Sequence, residues 1–112
     1  MRSRIVAIIL ACAALTVTIA ARADGDIAKG KVASQTCLGC HGIPDYTSVY
    51  PTYRVPKLAG QSAAYILHAL QEYKSGARSY PSMHAQASSL TEQQMEDIAA
   101  YFQSLGTPDK SK

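Results

Sequence analysis

Two of the large hydrophobic aromatic residues are scarce in this chain: tryptophan is absent from the 112 residues, and phenylalanine occurs once. A domain this short buries only a small core, and its two bulkiest fillers are nearly missing. Cysteine is also rare, and the one closely spaced pair would close too short a loop to stabilise the fold much as a disulfide. The composition indicates a single domain that needs a further source of stability.

The first 23 residues have the pattern of a secretory leader. Arg2 and Arg4 give a basic start, the 17 residues from Ile5 to Ala21 carry no charge, and a small-x-small site ends at Ala23. These are the three regions of a signal peptide, so we predict cleavage after Ala23. The alternative is an uncleaved membrane anchor, because 17 residues lie near the lower limit for a membrane span.

Neither sign of charge dominates the 89 residues, 24–112, that follow this leader. The leader contains three of the eleven basic residues, which leaves eight basic and eight acidic side chains. No lysine-rich run or arginine cluster is present. The charge pattern therefore gives no reason to expect nucleic acid or an anionic membrane surface as a partner.

No segment has the alternating pattern of a β-strand, and three segments have helical patterns. The first helix is predicted to begin at Asp24 or Asp26, either of which suits an N-cap, and to run toward Cys40. Gly30 inside it has a low helix propensity. Close packing of another helix would explain why a glycine is present there. The predicted apolar side of this helix consists of Ile27, Ala28 and Val32.

The second and third helices have clearer ends. Residues 62–75 form the second, which stops at Gly76. The third begins at Thr91, where Gln94 completes a capping box, and ends at Gly106. One face of the second helix collects Tyr65, Ile66, Ala69, Leu70 and Tyr73.

Two segments between the helices are predicted to be loops. Residues 42–61 contain three prolines and three tyrosines, and residues 76–89 contain one proline and four serines. Such compositions are typical of turns and irregular chain. With three helices and no strand, the domain is predicted to be all-α.

The stretch SQTCLGCHG places Cys37, Cys40 and His41 within five residues. A structural zinc site usually takes four ligands in two pairs, and no second pair is present. A redox dithiol of the thioredoxin kind would need a βαβ setting, which this chain lacks. C-x-x-C-H is the attachment signature of c-type haem, in which both thiols bond the haem and the histidine binds its iron. Covalent haem would also supply the missing source of stability.

The second axial ligand of such an iron has four candidates. Met83 lies in a loop rich in proline and serine, where it has no apolar stripe to join, and it is the preferred ligand. His84 beside it would give a bis-histidine haem and is the alternative. Met95 belongs to the apolar stripe of the third helix, and His68 lies on the polar face of the second.

On these residues the chain resembles the class I c-type cytochromes, closest to the small periplasmic bacterial monohaem kind and to the repeated unit of the dihaem kind. The matching pieces are CLGCHG, PKLAGQ followed by YILHALQEYKSGAR, the loop methionine, and LTEQQMEDIAAYFQSL, which span nearly all of residues 26–105. The resemblance implies a class I cytochrome c fold, with three main helices packed around one covalently bound haem c in residues 24–112.

Particular residues acquire roles from this resemblance. Cys37 and Cys40 would hold the haem, and His41 and Met83 would be the axial ligands of its iron. The backbone carbonyl of Pro56 would accept a hydrogen bond from the other nitrogen of His41. Where the first and last helices cross, the glycine at position 30 would receive the tyrosine at position 101. The chain departs from the resembled family in its longer, tyrosine-rich segment after the CxxCH motif, and in having histidine where asparagine often follows the ligand methionine.

The resemblance also implies a function. We expect a periplasmic one-electron carrier and not an enzyme. This carrier would dock transiently on redox partner proteins and have no membrane span after leader cleavage. The alternative is a haem c subunit docked permanently on a larger periplasmic oxidase or dehydrogenase. The stretch DYTSVYPTYR would then form part of the interface, because tyrosine and arginine are enriched there.

Overall fold

The computed structural model of the protein describes residues 25–49 and 52–106, so the predicted leader at 1–23 lies outside the described residues. The described chain is predominantly helical, with one small sheet. No helix within these two ranges is long and apolar enough to cross a membrane. In chain order the elements are α1 (Ile27–Ala33), α2 (Gln35–His41), β1 (Thr47–Val49), β2 (Thr52–Arg54), α3 (Ala63–Ser75), α4 (Pro81–Ser88) and α5 (Glu92–Ser104).

The predicted first helix is in fact two helices that meet at Ser34. Asp26 caps α1 as expected, since its carboxylate accepts from the backbone N–H groups of Ala28 and Lys29 at 2.9 and 3.0 Å. Ser34 is fully buried, has a ψ of 7°, and donates its hydroxyl to the Lys31 carbonyl at 3.3 Å. A serine that bonds its own backbone competes with the helical pattern, which explains the break.

The apolar side predicted for α1 is wrong. Ile27 and Val32 are 51% and 73% exposed, and α1 instead packs against α5 through Gly30. A Cβ atom at Gly30 would lie 1.9 Å from the carbonyl oxygen of Asp97 and 2.9 Å from the Cβ of Tyr101. The expected meeting of Gly30 and Tyr101 is confirmed, and the branched side chains stay outside because the two backbones approach so closely.

The predicted ends of α3 and α5 are confirmed. The Ser62 hydroxyl accepts from the Tyr65 backbone N–H at 3.2 Å, and Gly76 ends α3 in the left-handed conformation with a φ of 84°. Thr91 and Gln94 form the reciprocal capping box at the start of α5. These signals are local, so sequence alone locates them.

The core lies where α4 and α5 pack against α3. Phe102 is 1% exposed, and burying such a side chain stabilises the fold by roughly 1.5–3 kcal/mol. The predicted face of α3 is largely confirmed, although Tyr65 remains 49% exposed. The buried hydrophobic residues are Ile66, Ala69, Leu70, Ala87, Met95, Ile98, Ala99, Tyr101 and Phe102.

A β-hairpin occupies part of the first predicted loop. Strands β1 and β2 pair antiparallel, with Thr47 opposite Arg54, Ser48 opposite Tyr53, and Val49 opposite Thr52. Threonine, valine and tyrosine favour extended backbone. The expectation of no strand was wrong because nearly every residue of both strands is exposed, so no alternation of apolar and polar residues marks them.

The second predicted loop contains α4. Pro81 stands at its start, where a fixed φ and a missing N–H group do no harm. Serine and alanine give this helix only a weak apolar side, yet Ala87 is fully buried and the helix packs against α3. Tertiary packing therefore stabilises a helix that the pattern of its residues did not predict.

Candidate functional site

The two thiols of the CxxCH motif lie one turn apart on α2, on the face that also carries the imidazole of His41. Cys37 packs half-buried against the core, and Cys40 is exposed. Burial raises the pKa of the Cys37 thiol above its ordinary value. Both thiols are free, so the disulfide alternative is not formed in the described chain.

The imidazole of His41 is fixed by a hydrogen bond to the backbone. Its Nδ1 lies 2.7 Å from the carbonyl oxygen of Pro56. Because a carbonyl only accepts, Nδ1 carries the proton and donates it, which leaves Nε2 as the nitrogen with a free lone pair. The contact expected between His41 and Pro56 is therefore confirmed, and Nε2 is left as the nitrogen that could bind a metal.

The hairpin returns the chain from the end of α2 to Pro56. Asp45, whose φ is 55°, pairs its carboxylate with the guanidinium of Arg54, and the Val55 backbone N–H donates to the Tyr46 carbonyl at 2.9 Å. An aspartate tolerates this left-handed conformation better than most residues. The segment that departs from the resembled family thus closes the loop that carries the acceptor for His41.

Met83 lies in the first half of α4, half-buried, with its side chain packed against the core. Tyr80 caps the start of this helix, and its ring meets that of Tyr53 with centroids 5.3 Å apart. The hairpin that follows the CxxCH motif therefore contacts the helix that carries the methionine. The predictions that Met83 lies in a loop and has no apolar stripe to join are both corrected, because it lies on a helix, one turn before the buried Ala87, and packs against the core.

The other three candidates for the second axial position have different surroundings. Met95 is fully buried in the core, and His68 has a side chain 70% exposed that lies 3.6 Å from Glu72. His84 is exposed, and its Nδ1 lies 2.7 Å from the backbone carbonyl oxygen of Tyr73. The core role predicted for Met95 and the exposed position predicted for His68 are both confirmed.

The residues around the motif fit a large apolar group better than a bare metal ion. Within the described residues, no cluster of three or more His, Cys, Asp or Glu side chains is arranged to hold a metal. Helix α2 buries none of its residues against the polypeptide, although Cys37 and Leu38 are partly buried at the edge of the core. A haem bonded to these thiols would give this helix the packing partner that the chain does not supply.

Sequence reasoning missed two contacts that hold the site together. One is the ring contact of Tyr80 with Tyr53, and the other is the bond of His84 to the Tyr73 carbonyl. The proline that follows Tyr80 is a signal for a helix start and could have revealed α4. Neither contact has a signal of its own in the sequence, because each joins segments distant along the chain.

A comparison with protein families now decides the family. The family model described as "Cytochrome c" matches residues 27–106, most of the chain. The chain belongs to the cytochrome c family. It is accordingly an electron-transport protein with one covalently bound haem c and its iron, and the helical fold described above is the class I cytochrome c fold.

Several curated cytochromes are similar to this cytochrome c. Cytochrome c4 of Pseudomonas aeruginosa is 40% identical over 90 residues, which cover 80% of this chain and 43% of the relative. Cytochrome c4 of Stutzerimonas stutzeri is 38% identical, over 80% of this chain and 46% of the relative. The chain thus spans less than half the length of these two relatives. Cytochrome c-554(548) of Halomonas halodenitrificans is 37% identical over 71% of this chain and 96% of its own length.

Proposed function

We propose that Cys37 and Cys40 hold the haem through thioether bonds and that His41 and Met83 are the axial ligands of its iron. Two free thiols one turn apart support the attachment. The observation that carries the proposal is the 2.7 Å contact of His41 Nδ1 with the Pro56 carbonyl, because it fixes the tautomer in which Nε2 is free to bind a metal. Met83 is supported by its half-buried position and by the core role of Met95.

The proposed function is one-electron transfer by an exported carrier. When bound, the haem supplies an iron that cycles between the ferric and ferrous states. His41 is held in one tautomer and orientation, so the ligand geometry changes little as the charge changes. The thioether of Met83 favours the ferrous state and raises the reduction potential. If His41 and Met83 both hold the iron, no coordination position would remain open for a substrate, which supports a carrier over an enzyme.

Location and partners belong to the same proposal. Residues 1–23 act as a cleaved leader, which would place the mature domain 24–112 in the periplasm. Partners are redox proteins that dock transiently over a small patch, since a carrier must release quickly. The equal numbers of acidic and basic residues after the leader support neither nucleic acid nor an anionic membrane as a partner.

A second function, a subunit docked permanently on a larger oxidase or dehydrogenase, is favoured by one surface. On the hairpin, Tyr53 is 54% exposed and Val49 70%, and Ile43 just before it is 49% exposed. Two similar proteins have names that refer to a dehydrogenase. One is the thiosulfate dehydrogenase electron acceptor of Stutzerimonas stutzeri, 34% identical over 69% of this chain and 35% of its own length. The other is the cytochrome subunit of sulfide dehydrogenase of Chlorobaculum tepidum, 34% identical over 69% of this chain and 66% of its own length.

Two measurements separate these two functions from each other and from an enzyme whose iron has an open coordination site. In the first, carbon monoxide, which binds only if an axial position is open, is added to the reduced protein. If the protein is the proposed carrier, its visible spectrum should not change on this addition. Native periplasmic extract is then run on a size-exclusion column and monitored by haem absorbance. Elution at the size of the single chain supports the carrier, whereas elution in a large complex supports the subunit. Rapid carbon monoxide binding by the wild type would reject the six-coordinate carrier.

A further inference from the structure

The C-terminal end of α3 holds the helix that carries Met83. The last carbonyls of a helix lack partners within it, and that of Tyr73 is one of them. The Gly76 backbone N–H reaches this oxygen at 3.3 Å, whereas Nδ1 of His84 lies at 2.7 Å. The carbonyl can only accept, so the imidazole donates. A histidine near a helix C-terminus is favourable for this reason.

Helix α4 packs against α3, but among the described residues His84 is its one side chain that forms a hydrogen bond to another helix. It has eight residues, its N-cap Tyr80 makes no side-chain capping bond, and Ala87 is its one buried residue. Met83 and His84 are consecutive, so their side chains leave the helix about 100° apart. With His84 fixed on α3 and Ala87 in the core, the direction in which Met83 leaves the helix is set. The His84 carbonyl in turn accepts the hydroxyl of Ser88 within the same helix.

We propose that His84 is a positioning residue for Met83: its hydrogen bond to the Tyr73 carbonyl sets the rotation of α4 that presents the thioether to the haem iron. This inference rests on the proposed ligation of iron by Met83. It assigns to His84 a role other than that of an alternative ligand, and it accounts for a histidine at the position after the ligand methionine.

The expected size of the effect follows from the net free energy that one hydrogen bond contributes. Loss of one such bond corresponds to about a two- to tenfold change in an equilibrium constant. The relevant equilibrium is detachment of Met83 from ferric iron. An external ligand such as free imidazole competes with the methionine, so its apparent affinity rises in proportion to the detached population. Titration of the ferric holoprotein with imidazole, followed in the visible spectrum at one fixed pH, therefore reports the positioning directly.

Three variants make the test specific. In His84→Asn the side-chain amide nitrogen stands at the same distance from the backbone as Nδ1, so the donor is retained. In His84→Leu the volume is largely kept and the donor is lost. Lys74→Met is the matched control, because Lys74 donates to the Leu90 carbonyl and also joins α3 to a later segment, but to one that follows α4.

We expect His84→Leu to bind imidazole about two- to tenfold more tightly than the wild type, with His84→Asn and Lys74→Met close to the wild type. Equal imidazole affinities in all four proteins would overturn the positioning role while leaving Met83 as the ligand. The same role fails if Asn and Leu weaken the ligation equally, because the retained donor would then have no effect. If His84→Leu yields no holoprotein, His84→Gln takes its place in the test. The amide nitrogen of glutamine lies one bond farther from the backbone than Nδ1, so the donor is displaced from its native position. A wild type without the red charge-transfer band of thioether ligation would reject Met83 itself, a result distinct from both.

Discussion

Helices α5 and α2 are packed in opposite ways. Six residues of α5 are buried, among them Met95 and Phe102, and its N-terminus has a complete capping box. Helix α2 buries none of its seven residues, and Ser34 at its N-cap makes no side-chain capping bond to it. The difference shows that the polypeptide buries α5 by itself and leaves α2 largely exposed, and the proposed attachment of haem to Cys37 and Cys40 would cover that side.

This contrast divides the expected effects of mutations into two kinds. Changes on the α5 side should lower the free energy of unfolding and leave the spectrum of the haem unchanged. Changes on the side of α2 and α4 should alter attachment or ligation of the haem. A variant on the α5 side that altered the haem spectrum would contradict this division between the two sides.

The largest effect is expected from loss of both attachment thiols. In the double variant Cys37→Ala, Cys40→Ala no thioether can form, so we expect covalent haem to disappear and the yield of holoprotein to fall sharply. Denaturing gels stained for haem measure the attachment. Cys12→Ala is the matched control, since Cys12 precedes the predicted cleavage site, and it should keep a normal stain. Normal staining of the double variant would show that the attachment assignment is wrong.

Met95 tests the other side of the comparison. It is fully buried among the residues of α5 and α3, so Met95→Ala should lower the free energy of unfolding by about 2–5 kcal/mol. Chemical denaturation of the holoprotein measures this loss. The ferric spectrum of the folded variant should match that of the wild type. If Met95→Ala instead removed the band of thioether ligation, the two methionines would have exchanged their assigned roles.

A smaller effect on the free energy of unfolding is expected when a glycine is replaced by alanine, and two glycines, one on each side, make the comparison. Gly30→Ala places a Cβ against the Asp97 carbonyl at 1.9 Å, so α1 and α5 must separate, at a cost of about 1–3 kcal/mol or more. Gly39→Ala meets no atom of the chain within 4 Å and lies on the face of α2 opposite the thiols. Thermal unfolding should show a lower midpoint for Gly30→Ala and little change for Gly39→Ala. Equal midpoints would contradict the close contact of α1 and α5.

The sequence could predict what is local and could not predict what is tertiary. The cap at Asp26, the capping box at Thr91 and the attachment motif depend on neighbouring residues, and each lies where it was expected. Helix α4 and the hairpin depend on packing against distant segments. The break at Ser34 adds a third case, because a buried serine that bonds its own turn looks like any helical serine in the sequence.

The candidate site shows the same division. The motif alone names Cys37, Cys40 and His41, while the acceptor at Pro56 lies fifteen residues away and was expected from the resemblance and not from spacing. The bond of His84 to Tyr73 was not expected from either source. Contacts that orient a proposed ligand join segments distant along the chain, so the spacing of residues within the motif does not reveal them.

Ligation of the iron by Met83 is the central claim, and the ferric visible spectrum of the holoprotein tests it most directly. A bound thioether gives a weak red charge-transfer band that imidazole does not. We expect the wild type to show this band and Met83→Ala to lose it, with a lower reduction potential and with carbon monoxide binding to the reduced protein. A wild type without the band, in which His84→Ala opens the site to carbon monoxide, would contradict the account and make the iron bis-histidine.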